Sequence, residues 1–282
     1  MSDREKSIAS GGWFRNRLDR FRRGSSRAYP HEHLKRSALF FSPHFDDETL
    51  GCGGVIIKKK RAGADVKIVF MTDGSGSHRQ LMSARDLASI RLREALDAAA
   101  VMGLQETDVV ALGFEEQKLG QHHADAVQKV RDLLEHHCPA ELWIPHSHEP
   151  LIWSSDHRET TRIIKQAARL TRQDFSIFEY PVWLWFTYPW IDLPGAKTGE
   201  LRHLVKTSFF GACGFHLARS CHFEVDIEDV LEIKRAALAA HRSQMVRYNS
   251  DPAWPTLGDV ANGQFLECFF QSHEIFAAGD LD

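Results

Sequence analysis

The chain has 282 residues, a formal net charge of -3 and five cysteines. This length is enough for one α/β domain with a substantial core, and the near-neutral charge gives no electrostatic footprint for nucleic acid. Five cysteines without a CxxC pair make a poor disulfide framework, so we expect a reducing, cytoplasmic compartment. No apolar run approaches the roughly 20 residues of a transmembrane helix, and the N-terminus lacks the apolar core of a secretory signal.

The first 30 residues are polar and rich in arginine. Four apolar residues among them would share one side of a helix: Trp13, Phe14, Leu18 and Phe21. One interpretation is a basic amphipathic patch that contacts an anionic membrane surface. The other, which we favour, is a flexible leader that packs a few aromatic rings on the domain. We therefore divide the chain into a leader, residues 1–30, and one domain, residues 31–282.

The most informative stretch of the chain begins with an apolar run, Ala38 to Phe41, which Ser42 and Pro43 end. Four ionisable residues then follow almost together: His44, Asp46, Asp47 and Glu48. A glycine cluster and an apolar, basic run come next, so the pattern predicts a strand, a tight loop and a helix. In an open α/β sheet such a loop lies at the carboxyl end of a strand, where ligands bind.

The charges in this loop suggest a metal site. Three carboxylates within three positions repel one another, and burying them without partners is costly. Imidazole and carboxylate are ordinary zinc ligands, and a catalytic zinc takes three protein ligands and leaves one position for water. His44 and Asp47 could supply two ligands, while Asp46 would accept a proton from the water. The alternative is an acidic loop in which Asp46 or Asp47 caps the helix, and the local pattern does not decide between the two.

The sequence Pro-His-Phe-Asp-Asp-Glu followed by Gly-Cys-Gly-Gly resembles the signature of the LmbE-like, or PIG-L, family of zinc-dependent N-acetylglucosaminyl deacetylases. That family usually has Pro or Ala where Phe45 stands. The resemblance implies a zinc site completed by a third ligand in a second histidine motif. The glycines match neither a P-loop nor a dinucleotide-binding motif.

Two elements follow the first helix. Val66 to Met71 reads as a buried strand and is followed by a polar loop in which Asp73 either forms a turn or contacts substrate. Residues 83–103 have the apolar spacing of an amphipathic helix. Arg91 on this helix belongs to a segment that resembles the family's Arg-x-x-Glu-Ala, which implies a position near the active site; an exposed ion pair with Glu94 is the alternative.

Further strands and helices alternate along the chain. Val109 to Leu112 and Glu141 to Pro145 read as strands, with a helix from His122 to His137 between them. Strands and helices that alternate at this spacing indicate a mainly parallel sheet. The fold prediction is therefore a single-domain α/β structure, a Rossmann-like three-layer fold, with its motifs within residues 37–165.

A second histidine-rich constellation follows the strand that ends at Pro145, before a helix that starts at about Asp156. This loop should open onto the same sheet edge as the first, where His157 could point at the metal and Asp156 could orient it or a nearby histidine. The family has His-x-Asp-His here, and this implies that His157 binds zinc. Ser154 stands where the family's other histidine would help to protonate the intermediate. His146 and His148 lie upstream and could substitute for it, but a purely structural role is at least as well supported for each.

Residues 175–282 form a C-terminal extension with a looser pattern. Phe175 to Trp183 and His222 to Val225 read as strands, and the aromatic residues at 183–190 suggest either a sugar-stacking lid or ordinary core packing and an oligomerisation surface. The helix from Glu228 to Arg242 contains His241, in a segment that resembles the family's Lys-x-x-Ala…His-x-Ser-Gln. His241 could contact the substrate or the residues around the metal, or belong to a polar helix end.

The combined hypothesis is a zinc-dependent hydrolase in which His44, Asp47 and His157 bind Zn2+ and Asp46 is the general base. N-acetylglucosamine as the sugar is what the resemblance implies, in a glycoconjugate, a lipid-linked sugar or a secondary-metabolite precursor. One alternative is a sugar-binding relative that lost catalysis with the histidine at 154. Another is a metal hydrolase of esters or phosphoesters, because ligands alone do not select the substrate.

Overall fold

The computed structural model describes residues 26–151, 154–187 and 215–281. The strands are β1 Arg27–Ala28, β2 Ala38–Ser42, β3 Val66–Thr72, β4 Val109–Phe114, β5 Glu141–Pro145, β6 Ser176–Tyr180, β7 Phe223–Asp226 and β8 His273–Gly279. The helices are α1 Asp47–Arg61, α2 Ala84–Val101, α3 His123–His137, α4 Asp156–Leu170, α5 Phe215–Ser220, α6 Leu231–Ala240, α7 Arg242–Met245 and α8 Gln264–Glu267.

The described strands form one sheet in the order β1-β7-β8-β6-β5-β2-β3-β4. All neighbours pair in parallel except at β8, which is antiparallel to both β6 and β7. From β2 the chain winds outward through β3 to β4, and from β5 it winds the other way to β6. The strand order therefore reverses between β2 and β5, and in such sheets the crevice at the reversal is where ligands bind.

Successive residues of the central strands point alternately into two hydrophobic layers, one on each face of the sheet. Phe40 and Trp143 face the layer covered by α1, α2 and α6, whereas Phe41 and Ile144 face the layer covered by α3 and α4. Strands buried on both faces in this way read as continuous apolar runs. The predicted three-layer α/β fold with a mainly parallel sheet is confirmed.

Several predicted boundaries shift in the extension. The strand predicted from Phe175 to Trp183 ends at Tyr180, since Pro181 has no N–H to donate; a 3-10 helix, Trp183–Thr187, follows. The helix predicted from Glu228 to Arg242 is a 3-10 turn followed by α6 and α7, with a break at His241, whose ψ is 61°. β8 is not among the predicted strands.

The leader prediction falls mostly on residues 1–25, which lie outside the described residues, as do residues 188–190 of the aromatic segment. Arg27 and Ala28 at the end of the predicted leader pair with β7. Tyr29 next to them is buried, and its hydroxyl lies 2.8 Å from both carboxylate oxygens of Glu141. In the described ranges no helix combines the length and apolar character needed to cross a bilayer, and the cysteines of those ranges form no disulfide.

The glycine cluster after the acidic loop serves helix packing. A Cβ at Gly51 would lie 2.3 Å from the Tyr180 ring, and one at Gly54 would lie 2.4 Å from Ile227 Cγ2. At these two positions α1 approaches β6 and the C-terminal extension more closely than any side chain would permit. A buried carboxylate, Glu274 on β8, accepts the backbone N–H groups of Gly54 and Val55 at 2.7 and 2.8 Å.

We expect Gly51→Ala to destabilise the protein. Alanine favours a helix interior by about 1 kcal/mol over glycine, but overpacking a filled core typically costs about 1–3 kcal/mol. The Tyr180 ring is fully buried and its hydroxyl is held by Phe41 O at 2.7 Å, so it has no room to move aside. The urea midpoint should fall, whereas Gly120→Ala, whose Cβ would meet Glu159 at 3.6 Å, should leave it nearly unchanged. A higher midpoint for Gly51→Ala would contradict this packing.

Candidate metal centre

Two loops at the β2–β5 crevice bring together the three predicted ligands. His44 follows β2, Asp47 opens α1 and His157 is the second residue of α4. Asp47 Oδ2 lies 3.2 Å from His44 Nδ1 and 3.3 Å from His157 Nε2, and one potential ligand atom from each residue lies within 4.8 Å of the others. The helix α1 begins with two acidic residues, Asp47 and Glu48. Acidic and other polar groups are common at this end of a helix, because the first N–H groups have no acceptor within the helix.

The donor set fits a divalent cation. Two imidazoles and one carboxylate are the ligands of a catalytic zinc site. Within the described part of the chain, His157 is 3% exposed and neither of its ring nitrogens has a hydrogen-bond partner. A buried imidazole normally finds such a partner, and a metal ion facing Nε2 would instead bind its lone pair.

Asp156 orients the ring of His44. Its Oδ2 lies 3.3 Å from His44 Nε2 and accepts the backbone N–H of Gln117 at 2.6 Å. Burial opposes ionisation of Asp156, but these hydrogen bonds and the His44 ring outweigh it and lower its pKa. Carboxylates commonly hold the far nitrogen of a ligating histidine, and of the two histidines left open by the sequence the structure selects His44.

Electrostatics hold the ligands in opposite charge states. Burial disfavours the ionised form of Asp47, but His157 and His44 outweigh it and lower the pKa of this carboxyl. Burial also disfavours a charged His44, yet the carboxylates of Glu116, Asp156 and Asp47 raise its pKa well above the usual value. This cluster of negative charge attracts a cation, which would replace the extra proton on the His44 ring.

Asp46 lies beside the ligands in a strained backbone conformation. Its φ is +131°, which L residues rarely adopt, and such strain persists only where the surroundings enforce it. Glu48 Oε2 accepts the N–H of Asp46 at 3.1 Å, and Arg91 donates to Phe45 O at 2.7 Å. Burial raises the pKa of Asp46 to about 7, with Arg91 acting against this shift.

Arg91 reaches the site, as the resemblance implies. Its buried guanidinium lies 3.4 Å from Asp46 Oδ2 and donates to Glu116 Oε2 at 3.3 Å. Glu116, which was not predicted, also accepts the N–H of Gly76 at 2.8 Å. The signal that could have found it is its place just after β4, at the same sheet edge as the other loops.

The remaining candidates are more distant from the metal ligands. Asp73 accepts the N–H groups of Ser75 and Glu116 and so shapes its own turn. His146 is buried with Nε2 3.0 Å from Ser220 Oγ, and His148 is exposed. His241 is buried with Nε2 3.5 Å from Glu48 Oε1, behind Asp46.

A cavity of about 450 Å³ opens above the cluster. Its polar lining includes the candidate metal ligands, Asp46, Arg91 and Glu116. The described apolar residues of the lining are Leu50, Trp183, Pro255, Leu257 and Val260. Ser154 also lines the cavity, and its Oγ accepts the N–H of Asp156 at 2.9 Å, so it caps the start of α4. The described lining does not include His146, His148 or His241.

The chain is similar to known deacetylases. The family model described as PIG-L, GlcNAc-PI de-N-acetylase, matches residues 39–168. A diacetylchitobiose deacetylase of Thermococcus kodakarensis is 26% identical over 210 residues, which cover 74% of this chain and 70% of that protein.

Two solved structures share the fold at low identity. The N,N'-diacetylchitobiose deacetylase from Pyrococcus horikoshii, complexed with its inhibitor MPG, aligns with a TM-score of 0.61 and 19% identity, covering 90% of this chain and 88% of that one. GalB, the 4-carboxy-2-hydroxymuconate hydratase of Pseudomonas putida KT2440, aligns with a TM-score of 0.57 and 15% identity, covering 83% of each chain. One fold thus carries different reactions. Residues 39–168 of this chain thus match the PIG-L family model, and the chain shares its fold with the two solved structures.

Proposed function

We propose that this protein is a zinc-dependent hydrolase that removes the acetyl group from an N-acetylglucosamine-type amino sugar. The observation that carries the proposal is the convergence of His44, Asp47 and His157, two of them from one loop and one from another, at the floor of a 450 Å³ cavity. The deacetylases among the relatives support the reaction class and the kind of sugar.

Zinc bound by these three residues would supply a Lewis acid for the amide carbonyl and would lower the pKa of water. Asp46 accepts the proton of the attacking water, since its carboxylate lies in the cavity beside Asp47. The C–N bond then breaks, and the same carboxyl returns the proton to the leaving amine, which gives acetate and a free amino sugar. Ser154 replaces the histidine that would help with this protonation in the family, and a serine hydroxyl cannot take its place. We therefore assign both proton transfers to Asp46.

The neighbours of Asp46 keep it in place for this task. Arg91 holds the preceding carbonyl and faces the carboxylate, while Glu48, backed by His241, holds the N–H. Arg91 and Glu116 also line the cavity, where they present a donor and an acceptor to the hydroxyl groups of a sugar. Asp73 contributes indirectly, because its Oδ1 accepts the backbone N–H of Glu116 from the neighbouring loop.

A direct test joins metal analysis to product analysis. The protein is stripped with a chelator, reloaded with zinc, and incubated with N-acetylglucosamine, diacetylchitobiose and an alkyl N-acetylglucosaminide. We expect one zinc per chain, with equal amounts of acetate and free amine from at least one substrate and none from the stripped protein. Absence of bound metal, or amine release that does not depend on it, would reject the proposal. The panel also contains an acetate ester of a sugar, and hydrolysis of this ester without hydrolysis of any amide would instead favour the ester hydrolase.

A further inference from the structure

Glu149 is a fully buried carboxylate between the metal centre and the cavity wall. It lies in the loop after β5, and its oxygens accept the backbone N–H groups of Val182 at 2.8 Å and Trp183 at 2.7 Å. A longer contact at 3.4 Å joins it to the N–H of Leu184. On its other side, Oε2 lies 3.8 Å from His157 Nδ1.

The placement of His157 requires a particular tautomer. Its Nε2 faces Asp47, so the lone pair on Nε2 is the one available to a metal. The ring proton must then sit on Nδ1, and the nearest carboxylate to Nδ1 is Glu149. The separation of 3.8 Å is beyond hydrogen-bond range, but a small rotation of the ring toward a bound ion or toward the carboxylate would close it.

The other imidazole, His44, already has a carboxylate at each of its two ring nitrogens. His44 turns one nitrogen toward Asp47 and the other toward Asp156, at 3.2 and 3.3 Å. Each histidine of the cluster therefore has its own buried carboxylate on the side away from Asp47. Such partners fix the tautomer and the ring plane of a ligand, and losing one typically costs 10–100-fold in metal affinity.

We propose that Glu149 is a positioning residue that accepts the Nδ1 proton of His157 in the metal-loaded protein and couples this ligand to the wall of the cavity. The coupling follows from its second set of contacts, because the N–H groups it accepts begin the 3-10 helix that carries Trp183 into the cavity. The role rests on the proposed function in that His157 must bind a metal.

The test compares zinc affinities, measured by competition with a chromogenic chelator at fixed pH. Glu149→Gln keeps the size of the side chain and removes the charge, and we expect its Kd for zinc to rise 10–100-fold. Glu274→Gln is the matched control, since Glu274 is also a buried carboxylate that accepts two backbone N–H groups but touches none of the three ligands. We expect the control to retain the parental Kd within about twofold, even if it unfolds at a lower temperature.

A second measurement needs no substitution. In the zinc-loaded parent with 15N-labelled histidine, NMR should show the Nδ1 proton of His157 as a slowly exchanging imidazole N–H, and Nε2 as the metal-bound nitrogen. The proposal fails if Nδ1 proves to be the ligating atom, if Glu149→Gln binds zinc like the parent, or if both variants lose affinity equally. If the parent protein binds zinc and Glu149→Gln binds it equally well, only the proposed role of Glu149 is rejected. A parent that binds no metal would reject the proposed function itself.

Discussion

His157→Ala is expected to bind zinc so weakly that dialysis leaves the protein without metal and without hydrolytic activity. Three protein ligands hold a catalytic zinc, and this variant retains only His44 and Asp47. The loss of affinity should exceed the 10–100-fold cost of removing a residue that merely supports a ligand. Metal content after dialysis and kcat/KM on the best substrate of the panel measure the two effects.

His146→Ala is the matched control for this variant. His146 is a buried imidazole at the start of the loop that leads from β5 to His157, and it lies outside the described lining of the cavity. The same truncation there should leave one zinc per chain, whatever it costs in stability. A full equivalent of zinc in His157→Ala would remove this residue from the ligand set.

Asp46→Asn is expected to keep its zinc and to lose about 10²–10⁴-fold in kcat, the usual contribution of general acid–base catalysis. Asparagine is nearly the same size as aspartate and is among the residues that best tolerate positive φ, so the strained loop should persist. Metal analysis and amine release, measured on the same preparation, separate binding from chemistry. Deacetylation at the parental rate would show that another group is the base.

The dependence of kcat/KM on pH is an independent test of Asp46 as the general base. A base must be ionised, so activity should fall as the pH drops below the pKa of Asp46. Burial raises that pKa to about 7 in the metal-free protein, and a nearby cation would lower it because it favours the carboxylate. The acid limb of kcat/KM should therefore lie at or below pH 7.

Local sequence together with the family resemblance was enough to predict the residues that converge on the candidate metal centre. His44, Asp46 and Asp47 follow one apolar strand and His157 follows another, and parallel strands end at one edge of a sheet. The structural role of the glycine cluster was not visible in the local sequence. A side chain at Gly51 would clash with the Tyr180 ring and one at Gly54 with Ile227, and both partners are distant in the sequence.

The carboxylates that support the site were missed, and their contacts depend on chain segments that are distant in the sequence. Glu149 stands between His148 and Pro150 and reads as an exposed loop residue, yet it is fully buried, because the chain after β6 passes over it. Glu116 likewise depends on the approach of Arg91 from α2. β8 was not predicted because its apolar part is short. An antiparallel strand within a mainly parallel sheet is also recognised only once its partner strands are known.

The contact between Glu274 and the middle of α1 has a consequence for how the protein is made. The two ends of that hydrogen bond are 220 positions apart, so the helix that begins at Asp47 leaves the ribosome long before its buried anchor exists. Contacts of such long range slow folding, so during translation the loop that we propose to bind zinc would wait for almost the entire polypeptide. A nascent chain stalled before residue 274 should therefore capture zinc poorly, even though all three of its ligands have already been synthesised.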